Sequence, residues 1–141
     1  MEKPGKNLPF VSGCNERGTC PNSLGSAAGL RLRMESLLGE EGLAAWLGRM
    51  LPEPALARHA FRTAVAECPN ACSQPQVKDF GVIQRSLPGK GEGVCNNCGL
   101  CVKACRESGI VIGGAGPSIN FELCLRCGAC VKVCPAGALR A

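Results

Sequence analysis

The chain has 141 residues and twelve cysteines, but only four Phe, one Trp and no Tyr. So few large apolar side chains argue against a fold held by its hydrophobic core alone, and small chains of this kind usually depend on disulfides or bound metal. The net charge of +5 does not indicate a nucleic-acid-binding protein, because the 16 Lys and Arg form no run of five and no aromatic residues alternate with them.

The amino-terminal stretch MEKPGKNLPFVSGCNERG lacks the apolar core of a secretory signal. No apolar run approaches the ~20 residues that span a bilayer, so we expect no membrane span. These features predict a reduced, cytoplasmic setting, where clustered thiols bind metal more often than they form disulfides.

In chain order, helical spacing over residues 26–51 predicts two helices, which GEEG (39–42) separates. We expect Trp46 and the Leu/Met stripe of these helices to form core. Residues 59–67 and 77–83 are rich in β-formers and are expected to be strands, with a bend at Gly81.

The SLPGKGEG segment (86–93) is rich in glycine and predicts a boundary between two cysteine-bearing regions. Beyond it the sequence contains an internal repeat: CNNCGLCVKAC (95–105) and CLRCGACVKVC (124–134) are identical at seven of eleven positions. The repeat predicts two short helices, one starting in each run, with a small β-ribbon on each side.

Both runs have the spacing C-x2-C-x2-C-x3-C, which is typical of bacterial [4Fe–4S] sites whose fourth cysteine serves the other cluster. Three thiolates on one tight loop can bind three irons of one cluster, whereas a tetrahedral zinc site does not use a third cysteine of the same loop. The predicted ligands are Cys95, Cys98, Cys101 and Cys134 for cluster I, and Cys105, Cys124, Cys127 and Cys130 for cluster II. We expect Gly99 and Gly128 to let backbone amides approach the sulfurs. Residues 93–141 resemble the two-cluster bacterial-type ferredoxins, apart from Arg106, where such runs often have proline.

Four cysteines remain, Cys14, Cys20, Cys68 and Cys72, with spacings C-x5-C and C-x3-C. Four thiols are the ligand set of one further [4Fe–4S] cluster, assembled here from two distant loops. Each such cluster with its thiolates carries a charge of about −2, so three clusters would change +5 to roughly −1, and the excess of basic residues would be internal compensation.

The motifs GCNERGTC and CPNACSQPQVKDFG resemble the cluster-binding half of the siroheme-dependent sulfite and nitrite reductases, including the anaerobic and dissimilatory forms. The resemblance covers roughly residues 11–84. It implies that Cys14, Cys20, Cys68 and Cys72 hold a [4Fe–4S] cluster, that the Pro69-Asn70 turn sets two of the sulfurs, and that Cys72 could also bridge to siroheme iron.

The chain departs from these reductases in one respect: they enclose siroheme between two lobes, and the stretch before Cys14 is too short for another lobe. Siroheme carries eight carboxylates and needs basic partners. The available basic residues, none of which matches a family role, are Arg17, Arg31, Arg33, Arg49, Arg58, Arg62 and Lys78.

We therefore expect an α+β protein with a nitrite/sulfite-reductase-like [4Fe–4S] domain (1–86), a linker (87–93) and a βαββαβ two-[4Fe–4S] ferredoxin domain (94–141). Its expected function is electron transfer in a sulfite- or nitrite-reductase-like system, with a redox partner protein or subunit. One alternative is a minimal siroheme enzyme that reduces sulfite or nitrite, completed by a homo-oligomer or a partner. In another, the first domain holds a structural metal or senses redox state, and only the ferredoxin domain transfers electrons.

Overall fold

A computed structural model describes residues 10–14, 20–51 and 59–141. The chain divides into two compact units, Met1–Gln84 and Arg85–Ala141, which are described separately as the first and second unit. Over the described residues, the structure contains no helix with the length and apolar character needed to cross a bilayer. The expected mixture of helices and strands is confirmed.

The first unit contains a three-stranded parallel sheet in which β1 (Phe10–Gly13) and β3 (Phe80–Ile83) flank β2 (Arg62–Ala66). The central strand is the buried one, since each residue from Thr63 to Ala66 is at most 2% exposed. Because parallel strands end at the same edge of a sheet, the residues that follow β1 and β2 come together there.

Two helices lie between β1 and β2 in the chain: α1 (Ala28–Glu40) and α2 (Leu43–Met50). The predicted break between them is confirmed. It is made at Gly42, whose φ of 66° is left-handed and favours glycine.

The expectation that Trp46 and the Leu/Met stripe form core is wrong. Leu47 is buried at 9% exposure, but Trp46 is 49% exposed and Met50 is 65% exposed. On α1, Leu30 is likewise 46% exposed. Helical periodicity marks an apolar face, but it does not show that another element covers this face.

The strand predicted at 59–67 is confirmed as β2, whereas only the last four residues of the segment 77–83 form a strand, β3. A 3₁₀ turn, Pro75–Val77, precedes β3. Gly81 lies within β3 and not at a bend. A Cβ at this position would overlap the carbonyl oxygen of Pro75, so glycine permits the turn to pack on the strand. Strand β1 was not predicted.

The second unit contains, in chain order, β4 (Gly89–Lys90), α3 (Leu100–Ala104), β5 (Ile110–Gly113), β6 (Gly116–Ile119), α4 (Ala129–Lys132) and β7 (Leu139–Arg140). Strands β4 and β7 form one antiparallel ribbon, and β5 and β6 form the other. The helices begin inside the two cysteine runs, as predicted.

The internal repeat of the sequence is also a repeat of the structure. Gly99 and Gly128 precede α3 and α4 with φ values of 73° and 71°. Ile110 and Leu139, which occupy equivalent positions of the repeat, are 3% and 5% exposed and share one apolar cluster with Cys101. The two halves of the second unit therefore have matching local conformations.

The structure places the division between the units after Gln84. Residues 89–90, inside the segment expected to be a linker, form β4 and pair with β7. The neighbouring glycines permit close packing: a Cβ on Gly93 would overlap the carbonyl oxygen of Ala136. Glycine in this segment therefore serves a close backbone approach, and the linker is not observed.

Candidate metal centres

Two cysteines of the first unit follow strands that end at the same edge of the sheet. Cys14 comes directly after β1, and Cys68 comes two residues after β2. Burial raises the pKa of the Cys14 thiol, against the lowering effect of the Glu67 backbone N–H, and the negative charges of Glu67, Cys68 and Cys72 raise it further. The thiols of Cys14, Cys68 and Cys72 are therefore close enough to interact electrostatically.

The turn after β2 sets the sulfurs of Cys68 and Cys72. The N–H of Ala71 donates to the carbonyl of Cys68 at 3.1 Å. The side-chain amide of Asn70 donates to Cys72 Sγ at 2.9 Å. Ser73 Oγ anchors the turn by donating to the carbonyl oxygen of Val65 at 3.1 Å. Cys68 is buried, whereas Cys72 is exposed to solvent.

Cys20 lies on a separate segment and is exposed. A turn connects it to Ser23, whose N–H donates to the Cys20 carbonyl at 3.2 Å. Ser23 Oγ in turn donates to the carboxylate of Glu67 at 2.8 Å. Glu67 thus connects the Cys20 segment to the residue that follows it in the chain, Cys68. The residues between Cys14 and Cys20 lie outside the described part of the chain.

Sequence reasoning missed Glu67, which is only 8% exposed. A signal was present: the acidic residue ends an otherwise apolar run, TAVAE, immediately before Cys68. Buried carboxylates are rare unless they are hydrogen-bonded, so an acidic residue at the end of a buried strand indicates a specific set of partners.

The basic residues considered for siroheme have different outcomes. Arg31, on α1, lies beside the first-unit cysteines, since its Cδ is 3.4 Å from where a Cβ on Gly13 would stand. Arg17 and Arg58 lie outside the described residues. The others lie at separate places in the first unit: Arg33 on α1, Arg49 on α2, Arg62 on β2 and Lys78 after the 3₁₀ turn.

In the second unit the two C-x2-C loops have the same geometry. The N–H of Asn97 donates to Cys95 Sγ at 3.4 Å, and the N–H of Arg126 donates to Cys124 Sγ at 3.4 Å. Asn97 and Arg126 have left-handed φ values of 56° and 60°. Gly99 and Gly128 were expected to bring amides to the sulfurs, but the structure shows them as left-handed residues that begin the helices.

The ligands predicted for cluster I lie together. Cys95, Cys98, Cys101 and Cys134 line one cavity of about 290 Å³, part of which is open to solvent. Burial raises the pKa of Cys101, and the charges of Cys134 and Cys95 also raise it.

Cys134 has a distinctive environment. Burial tends to raise its pKa, but the backbone N–H groups of residues 136–139 point at its sulfur and together lower the pKa below its usual value. Hydrogen bonds from these groups favour the thiolate, which is the form that binds metal.

Three of the ligands predicted for cluster II are also close to one another. Burial raises the pKa of Cys130, and the charges of Cys124 and Cys127 contribute to the increase. Cys105, the fourth, accepts a hydrogen bond from the N–H of Gly109 at 3.3 Å. Cys105 and Cys130 both pack against the apolar cluster of Cys101, Ile110 and Leu139.

These donor sets suit iron–sulfur clusters. All twelve cysteines are free thiols, and several sulfurs accept N–H groups, which stabilise bound thiolates. Over the described ranges, no three metal-binding side chains lie close enough to hold a single ion. A four-iron cluster separates its thiolates more widely than a single zinc ion does, so this spacing is compatible with clusters.

Comparison with protein families gives two matches to 4Fe–4S binding domains, over residues 92–108 and 117–140. The two matched segments contain all eight cysteines of the two runs. The cysteines of the first unit lie outside both segments.

The chain is also similar to proteins of sulfite reduction. It is 39% identical over 67 residues to the coenzyme F420-dependent sulfite reductase of Methanocaldococcus jannaschii, which is 48% of this chain and 11% of that protein. It is 27% identical over 100 residues to an anaerobic sulfite reductase subunit found in Salmonella typhimurium and in Salmonella typhi, which is 71% of this chain and 25% of each relative.

The chain thus spans between a tenth and a quarter of the length of the curated relatives it matches. The second unit covers only residues 85–141, so the alignment of 100 residues with the Salmonella proteins must also include part of the first unit. The similarity to these proteins therefore extends beyond the 4Fe–4S binding segments.

Proposed function

We propose that the chain carries three [4Fe–4S] clusters and transfers electrons in a sulfite- or nitrite-reductase-like system. The observation that supports this most directly is the grouping of cysteines at three places. Thiols of the first unit interact at one sheet edge, and the two runs of the second unit form matching loops. Similarity to sulfite reductase proteins supports the biological setting.

The proposed ligands follow from this grouping. The first-unit cluster takes Cys14, Cys20, Cys68 and Cys72. Cluster I takes Cys95, Cys98, Cys101 and Cys134, and cluster II takes Cys105, Cys124, Cys127 and Cys130. When bound, such clusters accept and release single electrons.

The second unit has the strand and helix order of a two-cluster ferredoxin, strand–helix–strand twice. We propose that it has this fold, with the boundary after Gln84 replacing the one expected from the sequence. The first unit, with cysteines at the ends of parallel strands, is proposed to correspond to the cluster-binding domain of siroheme-dependent reductases.

The chain's own residues contribute donors and charge. Backbone N–H groups of Glu67, Asn97 and Arg126 each donate to a cysteine sulfur. Such hydrogen bonds stabilise the reduced, more negative form of a cluster and raise its potential.

A reductive titration tests the electron-transfer proposal. The chain, purified without oxygen, is titrated with dithionite while the visible absorbance of the clusters is followed. Each [4Fe–4S] cluster takes up one electron, so we expect about three electrons per chain. An uptake of two or fewer would contradict the third cluster.

A second candidate function is a minimal siroheme-dependent sulfite or nitrite reductase, or a subunit of one. The observation that favours it is the exposure of Cys72 beside the buried Cys68, because an exposed sulfur is accessible to a second group. When bound, siroheme would supply an iron to which the anion coordinates. Arg31, near Cys14, is a basic residue available to carboxylates or anions.

Siroheme added to the anaerobic chain distinguishes the two functions. If this chain forms the site, the visible spectrum of siroheme should shift on binding, and Arg31→Gln should weaken binding relative to the control Arg33→Gln, on the same helix. Unshifted siroheme bands would exclude siroheme binding by the chain alone.

The remaining proposals follow from the clusters. A redox partner protein or subunit supplies or receives the electrons, and a homo-oligomer is needed to complete the site only in the reductase case. Exposed thiolates and clusters require a reducing environment, so we propose a cytoplasmic location.

A further inference from the structure

We propose that Glu67 is a positioning residue that assembles the first-unit site and whose charge lowers the reduction potential of the cluster there. This inference rests on the proposed third cluster. It concerns a residue that neither binds metal nor belongs to any of the cysteine motifs.

The side chain of Glu67 joins two segments of the first unit. Its Oε1 accepts a hydrogen bond from the N–H of Ala27 at 2.8 Å, and its Oε2 accepts one from Ser23 Oγ at 2.8 Å. Ala27 immediately precedes α1, and Ser23 closes the turn that begins at Cys20. The carboxylate therefore fastens both the Cys20 segment and the start of α1.

The backbone of Glu67 joins the same parts. Its N–H donates to Cys14 Sγ at 3.1 Å, and its carbonyl accepts from the N–H of Leu24 at 3.0 Å. The next residue along the chain is Cys68. One residue thus contacts a cysteine after β1, precedes a cysteine after β2, and holds the segment of a third.

The charge of Glu67 requires a separate explanation. Glutamine could accept from Ala27 with its oxygen and donate to Ser23 with its amide, so both hydrogen bonds are possible without a charge. Burying a carboxylate costs free energy, although the amino-terminal end of α1 favours a negative charge. A carboxylate beside a cluster disfavours the additional electron, and its charge therefore lowers the potential.

The test uses the full chain, purified without oxygen, in three variants. Glu67→Ala removes both side-chain hydrogen bonds, Glu67→Gln keeps them and removes the charge, and Glu35→Gln is a control at an exposed acidic residue of α1. Dithionite uptake counts the clusters, and a redox titration followed by electron paramagnetic resonance gives their midpoint potentials.

In Glu67→Ala we expect electron uptake to fall from about three to about two per chain, with the signals of the second unit unchanged. In Glu67→Gln we expect all three clusters, with the ratio of reduced to oxidised first-unit cluster raised about tenfold at a fixed potential, equivalent to about 59 mV. Glu35→Gln should match the wild type.

Uptake of three electrons by Glu67→Ala would overturn the positioning role. An unchanged midpoint potential in Glu67→Gln would overturn the role of the charge, and loss of the cluster in this variant would overturn the claim that the hydrogen bonds suffice. If the wild type itself takes up only two electrons, the proposed third cluster fails before any variant is compared.

Discussion

Asn97 and Arg126 occupy equivalent positions of the internal repeat, and each donates its backbone N–H to the sulfur of the cysteine two positions earlier at 3.4 Å. Their φ values, 56° and 60°, are both left-handed. Their side chains differ in charge, and the Arg126 Nε is buried without a hydrogen-bond partner among the described residues. The two sites of the second unit therefore combine one backbone geometry with different electrostatics.

This relationship predicts unequal potentials. A positive charge near a cluster favours its reduced form, so Arg126→Asn should lower the midpoint potential of cluster II by roughly 30–60 mV. Asn97→Arg should raise that of cluster I by a similar amount. Redox titrations followed by electron paramagnetic resonance measure both. Equal changes at both clusters in either variant would contradict a local effect of charge.

Replacement of Cys72 by serine should remove the first-unit cluster and leave clusters I and II in place, because their proposed ligands lie in the other unit. Electron uptake should fall from about three to about two per chain. If the first unit transfers electrons, the variant should also fail to pass them to its redox partner. Partner reduction at the wild-type rate would favour the alternative in which the first unit has a structural or sensing role.

Gly93→Ala should destabilise the second unit. The added Cβ would overlap the carbonyl oxygen of Ala136, and residues 136–139 supply the N–H groups that surround Cys134. We expect a cost of roughly 2–3 kcal/mol, seen as cluster absorbance lost at a temperature about 10 °C lower or more.

Gly89→Ala, in β4, is the matched control for this substitution, because no atom lies within 4 Å of the added Cβ. It should lose its absorbance close to the wild-type temperature, measured at the same heating rate. Similar losses for both variants would show that the close approach at Gly93 does not limit stability.

Leu47→Ala should lower the free energy of unfolding of the first unit by about 2–4 kcal/mol, because Leu47 is the buried residue of α2. Met50→Ala, one helical turn later at 65% exposure, should cost less than about 1 kcal/mol. Denaturant unfolding followed by circular dichroism compares them. A larger cost for Met50→Ala would indicate that a partner covers this face in solution.

The second unit was the more predictable part of the fold. Its cysteine spacing constrains the backbone, so the repeat correctly predicted where α3 and α4 begin. The segment around Gly89 was less predictable, since glycines that permit close packing with residues 136–138 resemble glycines of a flexible linker.

In the first unit, local patterns predicted the helices and β2 but not β1. The four residues of β1, FVSG, include serine and glycine, and their strand conformation depends on parallel pairing with β2. Similarly, periodicity could not show that Trp46 is exposed, because exposure depends on the neighbouring elements.

The ligand sets remain predictions from the sequence. The structure groups Cys14, Cys68 and Cys72, and it brings Cys134 to the loop of Cys95. The role of Glu67 could not be inferred from the sequence alone, because its side-chain partners at positions 23 and 27 are distant from it along the chain.

Native mass spectrometry of the oxygen-free chain tests the central claim most directly, since it counts bound clusters and identifies the metal. We predict a dominant species with three [4Fe–4S] clusters, about twelve irons and twelve sulfides, and no thiol available to an alkylating reagent. A species with two clusters and four reactive thiols in the first unit, or one with zinc or disulfides in their place, would contradict the claim.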